Sequence, residues 1–159
     1  MKAKANPVVE VLNDVLTAEL TAINQYFVHG EMCQNWGYER LYEQVRKQSM
    51  GEMKHAEALI ERVLFLGGVP NVQRLGNIRI GETVREQLTL DRALEGEALT
   101  RLNAGVAICR ERSDNSSAHL LLGILESEES HVGWLDAQLA LIEQVGEPGY
   151  LAQQIRKSE

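Results

Sequence analysis

The sequence predicts an all-α protein built as a bundle of four long helices. Over 159 residues, with only three prolines, the helix-favouring residues Leu, Ala, Glu and Gln outnumber the β-branched and aromatic residues typical of sheets. Four long stretches repeat apolar side chains at spacings of three and four, and turn residues separate them. The length is that of one domain, which we expect to span residues 1–159.

The first helix is predicted to begin at Pro7, because Asn6 is a capping residue and proline is favoured in the first helical turn. It continues to about Gly37. Its inward stripe holds apolar side chains with a glutamate and a tyrosine among them: Leu12, Leu16, Glu19, Ile23, Tyr26, Gly30 and Cys33. Glu19 is therefore expected to face the core.

The second helix is predicted from about Tyr38 to Leu66, and Gly67, Gly68 and Pro70 end it. Its core stripe again mixes apolar and polar side chains: Leu41, Val45, Gln48, Glu52, His55, Leu59, Arg62 and Leu66. Glu52 and His55 are thus expected to point inward. The stretch from Gly67 to Gly81 contains turn residues and predicts a long crossover.

The third helix is predicted from about residue 82 to 112, with Leu88, Glu95, Leu102 and Cys109 on its stripe. A break and cap at 114–117 precede a fourth helix, from about 116 to 145. Its stripe holds Leu121, Leu125, Glu128, His131, Leu135 and Ile142. A short fifth helical segment is predicted from about Tyr150 to Arg156. Four long helices with a long middle crossover are typical of the ferritin-like topology.

Three ligand-type residues occur twice at one offset. Glu19, Glu52 and His55 recur 76 positions later as Glu95, Glu128 and His131. Residues three apart share a helix face, so each Glu-x-x-His can hold one ion. Four inward carboxylates need neutralising; Arg62 and Arg92 are candidate salt-bridge partners, but two divalent ions balance the charge better. The pattern therefore predicts a two-metal site.

Oxygen and imidazole ligands without thiolate suit iron or manganese, and zinc also binds such sites. Six side chains for two metals leave coordination positions open, which indicates a reactive centre able to bind oxygen or peroxide. The formal net charge of −7, without a basic cluster, argues against nucleic-acid binding. No apolar run is long enough to cross a membrane, and we expect a cytoplasmic protein with buried free cysteines.

The sequence resembles bacterioferritin along nearly its whole length. The stretches that carry the resemblance are Glu19-Leu-Thr-Ala-Ile-Asn-Gln-Tyr-Phe27, Glu52-Met-Lys-His-Ala56, Arg62-Val-Leu-Phe-Leu66 and Glu128-Glu-Ser-His131 followed by Trp134-Leu. The resemblance implies a ferroxidase di-iron centre in which Glu19 and Glu95 are terminal ligands, Glu52 and Glu128 bridge, and His55 and His131 each complete one iron. It also implies a hollow 24-subunit shell that stores ferric mineral.

The resemblance also assigns roles to residues outside the six ligands. Met53 matches the methionine that, with its copy from a second subunit, ligates a shared b-type haem; spacing alone leaves gap-filling at an interface open and does not exclude Met50. Tyr26 matches an electron donor, and packing is the equal alternative. Lys47 and Gly51 stand where the family has the His and Asp of an auxiliary iron site, so the resemblance does not extend to that site.

The leading hypothesis is an iron-storage ferroxidase that oxidises Fe(II) with oxygen or hydrogen peroxide. Its implied partners are identical subunits and a ferredoxin for iron release. One rival is a di-metal oxidase or peroxidase that acts on small molecules and does not store iron. A DNA-coating miniferritin is disfavoured, because that class builds its site across two subunits, and the paired carboxylates argue against a purely structural or haem-carrying bundle.

Overall fold

The computed structural model describes residues 5–157 and shows four long helices with a short fifth one. They are α1 (Pro7–Asn35), α2 (Glu39–Phe65), α3 (Val84–Glu111), α4 (Asn115–Val145) and α5 (Glu147–Ala152). The part of the chain that the structure describes contains no strand. The predicted all-α, ferritin-like bundle with a short C-terminal helix is confirmed.

Local signals start and end these helices as the sequence predicts. The side chain of Asn6 accepts a hydrogen bond from the Val8 amide at 3.0 Å, and Pro7 follows in the first turn. Thr83 caps α3 through the Glu86 amide at 3.1 Å. At the ends of α1 and α2, Gly37 and Gly67 have φ of 89° and 78°, a region that glycine enters without steric cost.

The crossover between α2 and α3 runs alongside α1 in register. The Asn13 amide donates to the Val69 carbonyl, the Gly76 amide to the Thr21 hydroxyl, and the Gly81 amide to the ring of His29. Partner numbers on α1 rise with position in the crossover, so this segment returns the chain along the bundle. Consequently α3 runs parallel to α2, the arrangement that a long crossover produces.

Two apolar clusters close the bundle on either side of its middle. One contains Leu12, Leu16, Leu59, Leu102, Cys109 and Leu121, and the other contains Cys33, Leu41, Leu88, Leu135, Ile142 and Tyr150. Each fully buried leucine among them contributes roughly 1.5 to 3 kcal/mol of transfer free energy. On every long helix, the predicted ligand residues lie between a position in the first cluster and one in the second.

The predicted position of the fifth helix was wrong. It begins at Glu147 and ends at Ala152, whereas Tyr150 to about Arg156 was expected. Proline has no backbone N–H, but in the first turn of a helix that group has no intrahelical partner in any case. Pro148 therefore lies in the first turn of α5, where the sequence was expected to break the helix. The buried Tyr150 anchors α5 by donating its hydroxyl to the Gln138 side chain at 2.8 Å.

Asp114 caps α4 and also fastens α2 to it. It accepts hydrogen bonds from the amide and hydroxyl of Ser117, at 3.0 and 2.7 Å, and from Arg62 at 2.9 Å. Burial alone would raise the pKa of Asp114, but these hydrogen bonds and the Arg62 charge outweigh it and lower the pKa below its usual value. Arg62 therefore forms its ion pair with Asp114 and not with the buried glutamates.

We expect Asp114→Ala to lower the free energy of unfolding at pH 7 by about 1 to 2 kcal/mol, since it removes a helix cap. Because the folded-state pKa is depressed, this stability is present above about pH 4 and is lost as the pH falls through the folded-state pKa. Urea denaturation at pH 7 and pH 3 measures both effects. Asp114→Asn, which retains a capping oxygen, is the control; an equal loss in both variants would contradict the capping role.

Candidate di-metal centre

Six side chains from four helices meet between the two apolar clusters: Glu19 from α1, Glu52 and His55 from α2, Glu95 from α3, and Glu128 and His131 from α4. Their ligand-type atoms form two groups, and within each group these atoms all lie within 4.8 Å of one another. The first group is Glu19, Glu52, His55 and Glu128; the second is Glu52, Glu95, Glu128 and His131. Glu52 and Glu128 belong to both groups.

The two imidazoles each face carboxylate oxygens. Nδ1 of His55 lies 3.3 Å from a carboxylate oxygen of Glu52, 3.3 Å from one of Glu128 and 3.6 Å from one of Glu19. Nδ1 of His131 lies 3.1 Å from a Glu95 oxygen. Each of the two ligand groups therefore contains one histidine with carboxylate oxygens close to its Nδ1. Glu52 and Glu128 belong to both groups and connect them.

The buried polar atoms of this cluster are poorly satisfied. Within the described residues, Glu19 Oε2, Glu95 Oε2, both carboxylate oxygens of Glu128 and Nε2 of His131 are buried without a hydrogen bond, although His55 Nδ1 lies close to one oxygen of Glu19 and one of Glu128. A buried carboxylate without a partner costs several kcal/mol. The candidate partners Arg62 and Arg92 bind Asp114 and Asp136 instead. The donor set thus fits two divalent cations with oxygen and imidazole ligands.

Proton affinities in the cluster show the same need for positive charge. Burial raises the pKa of Glu95 to about 8 and also raises that of Glu128. Burial opposes protonation of His55, but Glu128 and Glu52 outweigh it and raise its pKa to about 9. Without metal the cluster therefore holds protons at neutral pH, and a cation that binds there must displace them.

Tyr26 lies in direct contact with the cluster. Its ring is fully buried, and its hydroxyl donates a hydrogen bond to a carboxylate oxygen of Glu95. The ring also stands edge-on to His131, with the centroids 5.2 Å apart. Burial, reinforced by the Glu95 charge, raises the pKa of Tyr26 well above its usual value. The side chain is thus a neutral phenol held against one half of the site.

A second buried polar group, which the sequence reasoning missed, lies one helical turn away. Asp91 accepts hydrogen bonds from Nδ1 of His29 at 2.9 Å and from the Gln25 amide at 2.8 Å. The Gly81 amide donates to Nε2 of His29 at 3.0 Å, so the ring proton is on Nδ1. His29 is therefore a buried structural residue that joins α3 and the crossover to α1. Asp91 precedes Glu95 by one turn on the same stripe, and that spacing was the available signal.

The arrangement of the four long helices matches a known family. A family model described as a ferritin-like domain matches residues 9–145. Bacterioferritin of Mycobacterium leprae is 51% identical over 146 residues, which cover 92% of each chain. A bacterioferritin of Streptomyces coelicolor is 45% identical, covering 96% of this chain and 91% of its own. A bacterial ferritin of Synechocystis is 42% identical, covering 98% and 99%.

The chain belongs to the bacterioferritin family. The expectation drawn from the short motifs around Glu19, Glu52 and Glu128 is thereby confirmed at the level of the family. The haem, the shell and the assignment of individual ligands stay predictions. Among the described residues no helix combines the length and apolar character needed to span a bilayer.

Apart from the buried Tyr26 of α1, the residues that the bacterioferritin resemblance singled out beyond the six ligands lie on α2. Met53 and Met50 are 48% and 45% exposed, so neither side chain is part of the buried cluster. Lys47 and Gly51 line a cavity of about 310 Å³ between α2 and α4, and Glu52, His55 and His131 also line this cavity. The site can therefore be reached from the α2/α4 side, past the two positions where the resemblance fails.

Proposed function

We propose that this chain is an iron-storage subunit that oxidises Fe(II) to Fe(III) and delivers it to a stored ferric mineral. The observation that carries the proposal is the pair of four-ligand groups that share Glu52 and Glu128. Membership of the bacterioferritin family supports iron as the metal, because the ligand types by themselves also suit manganese or zinc. The unpartnered buried oxygens support a cation-loaded working state.

In this proposal the two Fe(II) ions are substrates that the six side chains hold as a pair. Glu19 and His55 bind one ion, Glu95 and His131 bind the other, and the shared Glu52 and Glu128 bridge them. Two Fe(II) ions release two electrons, which reduce oxygen with two protons to hydrogen peroxide, or peroxide with two protons to water. Holding both ions together supplies both electrons at one place.

The proposed assembly is a homo-oligomeric shell of 24 subunits. Several large apolar side chains are exposed in the isolated subunit at the end of α2 and along the crossover, among them Phe65 at 77%, Val69 at 81% and Val72 at 51%. An accumulation of exposed large apolar side chains in one stretch of the chain is typical of protein interfaces and supports assembly. Light scattering coupled to size exclusion tests it, and a dimer would favour the small-molecule oxidase or peroxidase.

In the decisive experiment, metal-free protein is loaded anaerobically with two Fe(II) per subunit. It is then mixed with oxygen or with peroxide in a stopped-flow spectrometer. We expect fast oxidation that saturates at two ions per subunit, and further additions of iron that remain soluble as mineral. Oxidation no faster than in buffer would refute the ferroxidase. Fast oxidation without retention of iron would leave the oxidase or peroxidase as the function.

We propose that the protein acts in the cytoplasm.

A haem shared between two subunits through Met53 is the second proposed cofactor. The Met53 side chain is 48% exposed, so its thioether is available to a group held between two chains. It would carry electrons from a ferredoxin to the mineral during iron release. Met53→Leu is expected to remove the haem absorbance band while Fe(II) oxidation is unchanged. Met50→Leu, equally exposed and one turn earlier, is the control; haem retained in Met53→Leu would overturn the assignment.

Tyr26 is proposed as an electron donor to the oxidation, because its hydroxyl contacts Glu95 and its ring contacts His131. On losing an electron the phenol can pass its proton to Glu95. Tyr26→Phe is expected to leave the fold and Fe(II) binding intact and to abolish a tyrosyl radical signal in freeze-quenched samples. Tyr42→Phe, on α2, is the control. An unchanged radical signal in Tyr26→Phe would assign Tyr26 to packing.

A further inference from the structure

A cavity of about 410 Å³ lies between α1, the crossover and α3, on the side of the bundle away from Lys47. Three arginines line it: Arg74 and Arg79 from the crossover and Arg101 from α3. The hydroxyl residues Thr17 and Thr21 of α1 also line it. The volume is that of a small-ligand pocket. Neither the metal centre nor the proposed haem uses these side chains.

The charges around the cavity do not cancel. Asp14 and Glu97 are the carboxylates in its lining. Arg74 donates to Asp14 at 2.6 Å, and Arg79 lies 3.3 Å from a Glu97 oxygen. No ion pair of Arg101 is found among residues 5–157. The cavity therefore carries one positive charge in excess, within a chain whose formal net charge is −7.

Unused donors add to this excess of charge. Nε of Arg79 is buried and has no hydrogen-bond partner among the residues described. A buried donor without a partner is unfavourable, and a ligand oxygen that accepts from it removes that cost. Guanidinium groups present planar pairs of N–H donors that match phosphate and carboxylate oxygens. The cavity thus offers what an oxyanion needs: positive charge, an unpartnered donor and space for a small ligand.

We propose that this cavity binds a small multivalent oxyanion of the phosphate or polycarboxylate class. Arg101 supplies the unpaired charge, and Arg79 supplies the unpartnered donor. The proposal rests on the cavity alone and does not depend on the iron chemistry.

The position of the cavity gives the bound anion a consequence for the metal centre. Ala18 and Leu94 line this cavity and also a small void beside the buried glutamates, so a thin wall separates the two. Glu19 and Glu95 directly follow those two residues in the chain. The single positive charge in excess disfavours Fe(II) on this side, and a bound divalent anion changes the local charge from +1 to −1. Anion binding would therefore favour the approach of Fe(II) from this side.

The test is isothermal titration calorimetry of the purified full chain, without iron, using inorganic phosphate and citrate in separate titrations at low ionic strength. We expect one saturable site per subunit for at least one of them, and the anion that saturates identifies the class. Arg101→Gln is expected to weaken this binding by about tenfold or more, equivalent to at least about 1.4 kcal/mol. Arg112→Gln, exposed at the end of α3, is the matched control.

Circular dichroism and sizing establish that each variant has kept its fold and assembly, and Arg101→Lys tests whether charge alone suffices. The absence of saturable binding of both anions up to about 10 mM would overturn the proposal. Equal affinity in Arg101→Gln and Arg112→Gln would also overturn it. Since no iron is present, failure of this test leaves the proposed ferroxidase untouched.

Discussion

Replacing Glu128 with glutamine is expected to abolish fast Fe(II) oxidation while the helical fold persists. Glu128 is 1% exposed and belongs to both four-ligand groups, so under the proposed function its loss takes a ligand from each ion at once. Outer-shell substitutions at metal sites cost about 10- to 100-fold, and a ligand shared by two ions is expected to cost about 100-fold or more. Stopped-flow absorbance after mixing with Fe(II) and oxygen measures the initial rate.

The matched control is Glu129→Gln, because Glu129 is the next residue of α4 and is exposed. It makes the same chemical change outside the cluster and is expected to leave the rate unchanged. Metal-free Glu128→Gln is also expected to melt no lower than the metal-free parent, since burial already disfavours the Glu128 carboxylate. A Glu128→Gln protein that oxidises Fe(II) at the parental rate would show that the cluster is not the reaction site.

Asp91→Ala is expected to be the most destabilising single change outside the apolar clusters. Asp91 is 2% exposed and accepts from both His29 and Gln25, so its removal leaves two buried donors without a partner. Each unsatisfied buried donor costs about 1 to 3 kcal/mol, giving an expected loss of about 3 kcal/mol in the free energy of unfolding. Urea denaturation followed by circular dichroism measures this loss.

Asp136→Ala is the control for Asp91→Ala. Asp136 also forms one of the ion pairs of the bundle, with Arg92 at 2.7 Å, but its side chain is 56% exposed. Exposed pairs of this kind contribute about 0 to 1 kcal/mol. Asp91→Asn retains one acceptor oxygen and is expected to lose less than Asp91→Ala. A loss below about 1 kcal/mol in Asp91→Ala would mean that water replaces the carboxylate and that the network does not hold the crossover.

The positions of the helices were largely predictable from local signals. Helix starts and stops are set by residues within one or two turns of them, such as Asn6 with Pro7, Gly67 with Gly68, and Asp114. The observed helices therefore begin and end within a few residues of the predicted ones. The fifth helix was misplaced because Pro148 can either start a helix or follow one. That choice depends on the burial of Tyr150 against the bundle, which a local pattern does not contain.

The candidate ligands were also predictable, because each glutamate and histidine interrupts an apolar stripe at a spacing that helical geometry requires. The stripe shows that Glu19 and Glu95 face inward. It does not show that Glu52 and Glu128 belong to both groups, since that depends on how far apart the four helices pack. The partners of Arg62 and Arg92 were likewise decided by packing.

The sequence by itself determined the helices, the inward faces and the six ligand-type residues, since these follow from periodicity within single helices. Tertiary structure alone decided which residues far apart in the chain meet. It brought Asp91 to His29 across 62 positions, Tyr26 to Glu95 across 69, and Arg74, Arg79 and Arg101 around one cavity. The first two contacts depend on how α3 packs against α1, and the third depends also on the register of the crossover against α1. That register is set by many weak interactions acting together, and no short stretch of sequence records it.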